Sequence, residues 1–211
     1  MLKENLIFFR EFVSNFQSTG SAFPTTRWAA EAMTTPLRGR AKALRILEAG
    51  PGSGSVTVKI LKDMLPGDQL MLCEINPRLM KALKERLSAN RDYLRHQKNV
   101  FFFEGPVQAL PENTKYDVIV CAIPFLNFPV ELVDEIFAKF KKLGSENGVM
   151  TYYEYMGLRH ASMVMSPPER RSRMKKLDSY IRDVWRNQLV DTRRVWLNVL
   201  PIHVRTLRLS A

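Results

Sequence analysis

"LEAGPGSGS", residues 47–55, places three glycines between a short apolar strand pattern and a helix pattern. Because glycine has no Cβ atom, such a turn lets the backbone approach a ligand closely, and the N-terminus of the following helix offers free N–H groups. A glycine-rich turn that binds nothing is the alternative, but the order of strand, loop and helix favours a ligand site. The dinucleotide fingerprint G-x-G-x-x-G does not fit, because Ser55 or Thr57 occupies its last position.

Apolar runs alternate with helical patterns on both sides of this turn. Predicted strands cover residues 44–50, 68–75, 99–105, 116–124 and 148–155, and predicted helices cover residues 55–65, 77–90 and 129–144. Because the strand patterns are apolar on both faces, they are typical of parallel strands that helices cover on each side. The sequence therefore predicts an α/β fold with a doubly wound, mostly parallel sheet.

Three further segments are predicted around this alternating core. They are an N-terminal helical cap over residues 1–36 with an amphipathic helix at 3–18, a basic helical insertion over 159–192, and a closing antiparallel hairpin around Leu200–Pro201. A second helix of the cap begins near Thr25 or Thr26 and ends at Met33. We expect one domain spanning residues 1–211, because a chain of this length suits a single core.

The charge balance restricts the class of partner. The chain has 32 Lys and Arg against 21 Asp and Glu, which gives a net charge of +11. Such an excess favours polyanions, either nucleic acid or an anionic membrane surface, and charge alone does not choose between them. No apolar run approaches the roughly 20 residues that a membrane-spanning helix needs. We therefore expect a cytoplasmic protein that is peripherally associated with the inner face of the membrane.

The cysteines and histidines give little support for a metal site. Cys73 and Cys121 both lie at the ends of predicted strands. Two buried thiols in a reducing compartment explain them better than a disulfide or a metal site does. The three histidines are scattered without the spacing of metal ligands, so we expect no metal.

Acidic residues stand at three successive predicted strand ends. Glu48 lies two residues before the first glycine, where it would repel a pyrophosphate but suit a cation such as a sulfonium with an α-amino group. Glu74 ends the next strand, where a carboxylate can accept both hydroxyls of a ribose. Glu104 ends the third and is placed to accept a hydrogen bond from an adenine amino group. Each acid taken alone is explained as a solvent-exposed residue at the end of a strand, but the three together beside a glycine turn indicate a ligand.

These motifs resemble a known family. "LEAGPGSGSVT", "LCEIN", "FFEGP" and "YDVIVCAIPF" are similar to successive motifs of class I S-adenosylmethionine-dependent methyltransferases, over roughly residues 44–155. The resemblance implies that Gly50, Gly52 and Gly54 line the methionine end of the cofactor together with Glu48. It also assigns to the cofactor site the residues Glu74, Ile75, Glu104, Gly105, Ala122, Ile123 and Thr26. The family commonly has Asp where this chain has Glu104.

The fourth strand leads into the apolar stretch "CAIPFLNFP", residues 121–129. Methyl transfer from a sulfonium needs positioning and exclusion of water more than polar catalysis, so an apolar mouth suits it. Enzymes that methylate base amines have a motif similar to Asn/Asp-Pro-Pro-Tyr at this position, and its first side chain accepts hydrogen bonds from the amino group. This chain has Ala122 at the leading position and lacks that hydrogen-bond acceptor. We predict Pro124, Phe125 and Tyr155 at the acceptor site, where Tyr155 would stabilise an alkylammonium by cation–π attraction. Simple packing of these residues is the alternative.

A closer resemblance covers most of the chain. "GSAFPTTRWAAEAM", "IPFLNFP" and "RRVWLNVLPIHVRTLR" are similar to bacterial phospholipid N-methyltransferases and to the related ornithine-lipid enzymes. This implies S-adenosylmethionine as cofactor, a membrane lipid amine such as phosphatidylethanolamine as substrate, and an anionic membrane surface as partner. An rRNA adenine N-methyltransferase with RNA as partner is the first alternative. A membrane-associated module that binds the cofactor without turnover is the second.

Overall fold

The computed structural model describes residues 25–125, 128–157 and 168–210. The amphipathic helix predicted over residues 3–18 lies outside these residues, and so does the first part of the predicted basic insertion, residues 159–167.

Strands and helices alternate along most of the described chain. The strands are β1 (Arg45–Ala49), β2 (Gln69–Glu74), β3 (Val100–Glu104), β4 (Tyr116–Cys121), β5 (Gly144–Tyr155), β6 (Leu189–Val195) and β7 (Ile202–Arg208). The α-helices are α1 (Arg27–Met33), α2 (Ser55–Asp63), α3 (Pro77–Ser88), α4 (Arg91–His96), α5 (Val130–Leu143) and α6 (Pro168–Gln188). Short 3₁₀ turns cover Thr35–Leu37, Gln97–Asn99 and Val107–Ala109.

The seven described strands form one sheet in the order β3-β2-β1-β4-β5-β7-β6. The strands from β3 to β5 are parallel, whereas β7 is antiparallel to both β5 and β6. The strand order reverses beside β1, so the carboxyl ends of β1 and β4 border the crevice where open α/β sheets bind ligands. The predicted doubly wound, mostly parallel α/β fold with a closing antiparallel hairpin is confirmed.

Helices cover both faces of this sheet. Ile46, Leu70 and Val118 face α1, α2 and α3, and together they form one buried apolar cluster. Alternate strand residues such as Leu47 and Ile119 face α5 and α6 in a second cluster. This alternation follows from the period-2 geometry of strands, and the two apolar faces explain the continuous hydrophobic runs in the sequence.

The structure differs from the sequence predictions at three boundaries. Asn90, predicted to end a helix, instead caps α4 by accepting a hydrogen bond from the Tyr93 N–H. β5 begins at Gly144, immediately after α5 and four residues before its predicted start. The first hairpin strand begins at Leu189, directly after α6, although its predicted segment started at Arg193. Cap residues and abrupt helix-to-strand changes carry weak hydrophobic periodicity, which explains these errors.

A buried ion pair fixes the start of β1 against the loop that leads into β2. The Asp68 side chain is fully buried and accepts hydrogen bonds from the backbone N–H groups of Leu44 and Leu65, both at 2.7 Å. The Arg40 guanidinium contacts both Asp68 oxygens. The carboxylate is therefore fully partnered, and the strand that leads to the glycine turn is anchored at its beginning.

We expect Asp68→Ala to lower the free energy of unfolding by about 3–5 kcal/mol, because it leaves the Arg40 charge without its partner in a mostly buried position. Urea denaturation followed by circular dichroism measures this change. Glu85→Ala is the control, since the Glu85 carboxylate lies 4.0 Å from the Lys81 ammonium on the exposed surface. The control should cost less than about 1 kcal/mol. Equal losses in the two variants would contradict the role of Asp68.

Candidate active site

The turn between β1 and α2 is built from glycines in the left-handed region. The φ angles of Gly50, Gly52 and Gly54 are +74°, +55° and +83°. The Gly50 N–H donates to the Cys73 carbonyl oxygen at 2.9 Å, which ties the turn to the end of β2. Because other residues are strained at these angles, glycine is required for this backbone path.

The three glycines have different surroundings. A Cβ atom on Gly54 would lie 2.5 Å from the Leu83 Cδ1 atom, and one on Gly50 would lie 3.1 Å from the Ile123 Cγ1 atom. Those two positions are therefore filled by packing against α3 and the end of β4. A Cβ atom on Gly52 would meet nothing within 4 Å. Gly52 thus exposes its backbone to open space, as a close approach to a ligand requires.

Glu48 is a buried carboxyl group without a hydrogen-bond partner. It is fully buried, and neither of its carboxyl oxygens is hydrogen-bonded to any residue that the structure describes. Burial raises the pKa of Glu48 to about 8. The Thr57 hydroxyl lies close enough to oppose this increase in part, although its geometry is not that of a hydrogen bond, and the charge of Glu74 adds to the increase. The Thr57 hydroxyl is itself buried without a partner among the described residues. An unpartnered buried carboxyl group is costly, and a cationic ligand would compensate it.

Glu74 connects the end of β2 to the glycine turn. One of its oxygens accepts a hydrogen bond from the Asn76 N–H at 2.9 Å, and the other accepts one from the Gly52 N–H at 3.1 Å. Burial raises the pKa of Glu74, while these backbone donors oppose the increase. The carboxylate is therefore held against the glycine whose backbone faces open space.

Glu104 lies beside Glu74 at the end of β3, in register with it across the parallel pair. Its side chain is exposed and, among the described residues, has no ion-pair partner within 4.0 Å. The Gly105 N–H donates to the Glu74 carbonyl oxygen at 2.9 Å. Ile75, which follows Glu74 in the chain, is buried. The three acidic residues thus follow one another along neighbouring strand ends, as the sequence predicted, but Glu104 is the most accessible of them.

The stretch after β4 forms an apolar wall. The Ala122 N–H donates to the Ala49 carbonyl oxygen at 2.9 Å, which brings this stretch beside the glycine turn. Ile123 is buried against Gly50. The Phe125 ring is packed in the core, with its centroid 5.2 Å from that of Phe137, so its position favours the packing interpretation. Pro124, between Ile123 and Phe125 in the chain, is half-buried.

Tyr155 and Tyr153 share one face of β5 near its carboxyl end. Their ring centroids are 5.6 Å apart and the rings are nearly perpendicular, at 84°. Burial raises the pKa of both hydroxyl groups, so both tyrosines are neutral at physiological pH. Tyr155 is half-buried and packs against the apolar cluster beneath α1 and α2, at the same carboxyl edge of the sheet as the glycine turn.

Thr26 caps α1, and its side chain accepts a hydrogen bond from the Ala29 N–H. Its hydroxyl also donates to the Leu197 carbonyl oxygen at 3.2 Å. The structure therefore connects Thr26 to the loop between β6 and β7, and this contact was not predicted from the sequence. Thr57, unlike Thr26, is a site residue that the sequence reasoning missed. Its signal was a hydroxyl side chain three residues after the last glycine of the turn.

The described residues contain no group of three or more His, Cys, Asp and Glu side chains that could hold a metal ion. A depression of about 330 Å³ lies at the opposite, amino-terminal edge of the sheet, between Leu44, Lys115 and Ser145. It is remote from the carboxyl strand ends, where parallel sheets of this kind place their ligands. We therefore assign the candidate active site to the glycine turn, with Glu48 and Glu74, and to the wall after β4.

Comparison with known proteins agrees with this fold and with a methyltransferase domain. Residues 47–150 match a protein family described as "Methyltransferase domain". The chain is 24% identical over 153 residues to an ornithine lipid N-methyltransferase from Singulisphaera acidiphila. The alignment covers 70% of this chain and 76% of that protein.

Solved methyltransferase structures have the same fold. A candidate O-methyltransferase from Klebsiella pneumoniae superimposes with a TM-score of 0.64 at 15% identity, over 94% of this chain and 88% of that one. A candidate RNA methyltransferase from Pyrococcus horikoshii gives a TM-score of 0.56 at 13% identity, over 87% and 84% of the two chains. At such identities the likeness concerns the fold.

Replacing Glu48 tests its unusual ionisation. Below its usual pKa of 4.5 the carboxyl group is protonated in both the folded and the unfolded chain. As the pH rises from there to about 8, the unfolded chain ionises first, so the wild type loses stability. We expect Glu48→Gln to gain a few kcal/mol relative to the wild type between pH 5 and pH 8, at roughly 1.4 kcal/mol per pKa unit.

Urea denaturation of both proteins across this pH range measures the difference. The glutamine amide does not titrate, so any effect of its packing on stability is the same at pH 5 and at pH 8. This effect therefore cancels when the stability difference between the two proteins is compared at the two pH values. A difference between the two proteins that stays constant from pH 5 to pH 8 would contradict a buried, proton-binding Glu48.

Proposed function

We propose that this chain is a methyltransferase of the class I fold, and that it transfers methyl groups from S-adenosylmethionine to the amino head group of a membrane lipid. The observation that carries the cofactor assignment is the buried, unpartnered Glu48 carboxyl group next to a glycine turn with open space at Gly52. The resemblance to an ornithine lipid N-methyltransferase supports the substrate class.

The residues at the turn fit the proposed cofactor. Glu48 would bind the cationic methionine end, because a positive charge nearby favours the ionised form of this carboxyl group. Gly52 allows the cofactor to lie directly against the backbone. Glu74 would accept hydrogen bonds from the ribose hydroxyls, and Glu104 from the adenine amino group. Ile75, Gly105, Ala122 and Ile123 would form the remaining apolar surface around the cofactor.

The rest of the site suits methyl transfer to an amine. When bound, S-adenosylmethionine supplies a methyl group that is already activated by its positive sulfur. The chain then has to hold the acceptor nitrogen in line and keep water away. Ala122, Ile123 and Pro124 present apolar surface, which favours the neutral, nucleophilic form of the acceptor amine. Tyr155 offers an aromatic face to the alkylammonium product.

A direct test incubates the purified protein with radiolabelled S-adenosylmethionine and either mixed lipid vesicles or rRNA. We expect label in the lipid fraction, with phosphatidylethanolamine or an ornithine lipid as the acceptor. Label in RNA, with none in lipid, would overturn the substrate proposal and leave the methyltransferase assignment intact.

RNA adenine methylation is the second candidate, because the net charge of +11 attracts any polyanion. The Pyrococcus structure is named as a candidate RNA methyltransferase, although it shares only the fold with this chain. Ala122 argues against this candidate, since its side chain has no oxygen to accept a hydrogen bond from an adenine amino group. Salt-sensitive RNA binding accompanied by methylated adenine would favour it.

Gly52→Ala tests the proposed contact between the turn and the cofactor. Gly39→Ala is a matched control, because Gly39 also has a positive φ, of +68°, and an added Cβ would likewise meet nothing within 4 Å. Both changes should cost about 1 kcal/mol of stability through backbone strain. We expect only Gly52→Ala to weaken binding of S-adenosylhomocysteine, by tenfold or more in calorimetry. Equal affinities of the two variants would contradict the assignment of Gly52.

Tyr155→Leu tests the aromatic contact with the acceptor. Loss of cation–π attraction worth about 0.5–2 kcal/mol should reduce kcat/KM by about 2- to 30-fold. Tyr155→Phe keeps the ring and should stay close to the wild-type value. Binding of S-adenosylhomocysteine should be unchanged in both variants. An equal loss of activity in Tyr155→Phe and Tyr155→Leu would show that the aromatic ring does not stabilise the acceptor.

A further inference from the structure

The loop between β6 and β7, residues 196–201, exposes an unusual concentration of large apolar side chains. The exposed fractions are 65% for Trp196, 66% for Leu197, 55% for Val199 and 42% for Leu200. Single exposed apolar residues are common on protein surfaces, but a contiguous group of them marks an interaction site. We call residues 196–200 the apolar loop.

The backbone of the apolar loop is held in place although its side chains face outward. The Thr26 hydroxyl donates to the Leu197 carbonyl oxygen at 3.2 Å, and the Asn198 side-chain amide donates to the Leu200 carbonyl oxygen at 2.9 Å. The Met156 N–H donates to the Pro201 carbonyl oxygen at 2.8 Å. The loop is therefore a preformed apolar surface, which lowers the entropic cost of binding.

The register of the sheet places this loop at the edge that carries the active site. Val195 pairs with Ile202, and Ile202 pairs with Tyr155 at the carboxyl end of β5. The loop therefore ends beside Tyr155, the proposed acceptor residue, and begins one strand further away, on the same edge of the sheet as the glycine turn. A surface bound by the apolar loop would face the opening of the active site.

Exposed arginines flank the apolar loop. Arg194 lies on β6 two residues before Trp196 and has no ion-pair partner among the residues that the structure describes. Arg27 directly follows Thr26, which contacts the loop, and its guanidinium lies 4.1 Å from the Trp28 ring centroid. Tryptophan and aliphatic side chains next to arginine are typical of protein surfaces that lie in the head-group region of an anionic bilayer.

We propose that the apolar loop inserts into the surface of an anionic lipid bilayer and so orients the active site towards the head groups. Aliphatic side chains such as Leu197 and Val199 have no π-face for stacking on bases, so RNA explains this surface less well. The inference deepens the proposed function and rests on it for the identity of the substrate. Binding of the loop to lipid needs neither cofactor nor turnover, so the two claims are separable by experiment.

The double variant Leu197→Ser/Val199→Ser tests the insertion. A matched control is Leu94→Ser/Val190→Ser, which removes an exposed leucine and an exposed valine elsewhere on the surface. Val190 is 54% exposed, close to the 55% of Val199, but lies towards the other end of β6. We expect sedimentation with vesicles of phosphatidylethanolamine and phosphatidylglycerol to show at least tenfold weaker binding for the loop variant. The control should bind within twofold of the wild type.

Several results would overturn the proposal. They are failure of the wild type to bind these vesicles, equal binding by the wild type and the loop variant, and equal loss in the loop variant and the control. Thermal melting checks that both variants fold. A change in oligomeric state or in RNA binding in the loop variant, with vesicle binding retained, would assign the surface to a second copy or to RNA.

Activity measurements separate the docking claim from the proposed function. If the wild type binds vesicles through the loop but methylates no lipid, the substrate proposal fails and the docking claim stands. If both claims hold, the loop variant should lose methyl transfer to vesicle lipid at least tenfold. It should keep its activity towards a short-chain lipid amine dissolved below its micelle concentration, because that acceptor reaches the site without a bilayer.

Discussion

A buried carboxyl group without a partner is the constraint around which the site of this protein is arranged. Glu48 lies near the carboxyl end of β1, where both of its oxygens are buried without hydrogen bonds among the described residues. A fold that needed only stability would replace such a group, because its ionisation is opposed by burial. Its position beside the glycine turn makes sense if a cation binds there. Asp68 is an instructive contrast, since it is equally buried but is partnered by Arg40 and by backbone N–H groups, and so serves the fold.

The same turn links local backbone geometry to the whole site. Gly50 and Gly54 pack against Ile123 and Leu83, so the path of the turn depends on the neighbouring strand end and on α3. Gly52 is left open and donates its N–H to Glu74. The chain therefore brings two carboxyl groups and an accessible backbone segment to one edge of the sheet. Together with the apolar wall after β4, these groups would attract a cationic donor and keep water away, as the proposed methyl transfer to an amine requires.

Much of this arrangement could be predicted from the sequence. Hydrophobic runs on both strand faces predicted the parallel sheet. Glycines with acidic residues at successive strand ends predicted that Glu48 and Glu74 lie close together. Contacts between distant segments could not be predicted, because periodicity carries no information about them. Examples are the hydrogen bond between Thr26 and Leu197 and the packing of Phe125 against Phe137. The exposure of Trp196 and Leu197 was also missed, since a strand pattern does not reveal which apolar residues remain outside the core.

Calorimetric titration with S-adenosylmethionine at pH 7, in buffers with different ionisation enthalpies, tests the central claim most directly. With a pKa of about 8, Glu48 is mostly protonated in the free protein, and binding of a cation next to it should expel that proton. We predict release of nearly one proton per bound molecule by the wild type, and much less by Glu48→Gln. Absence of binding, or the same proton release from both proteins, would contradict the account.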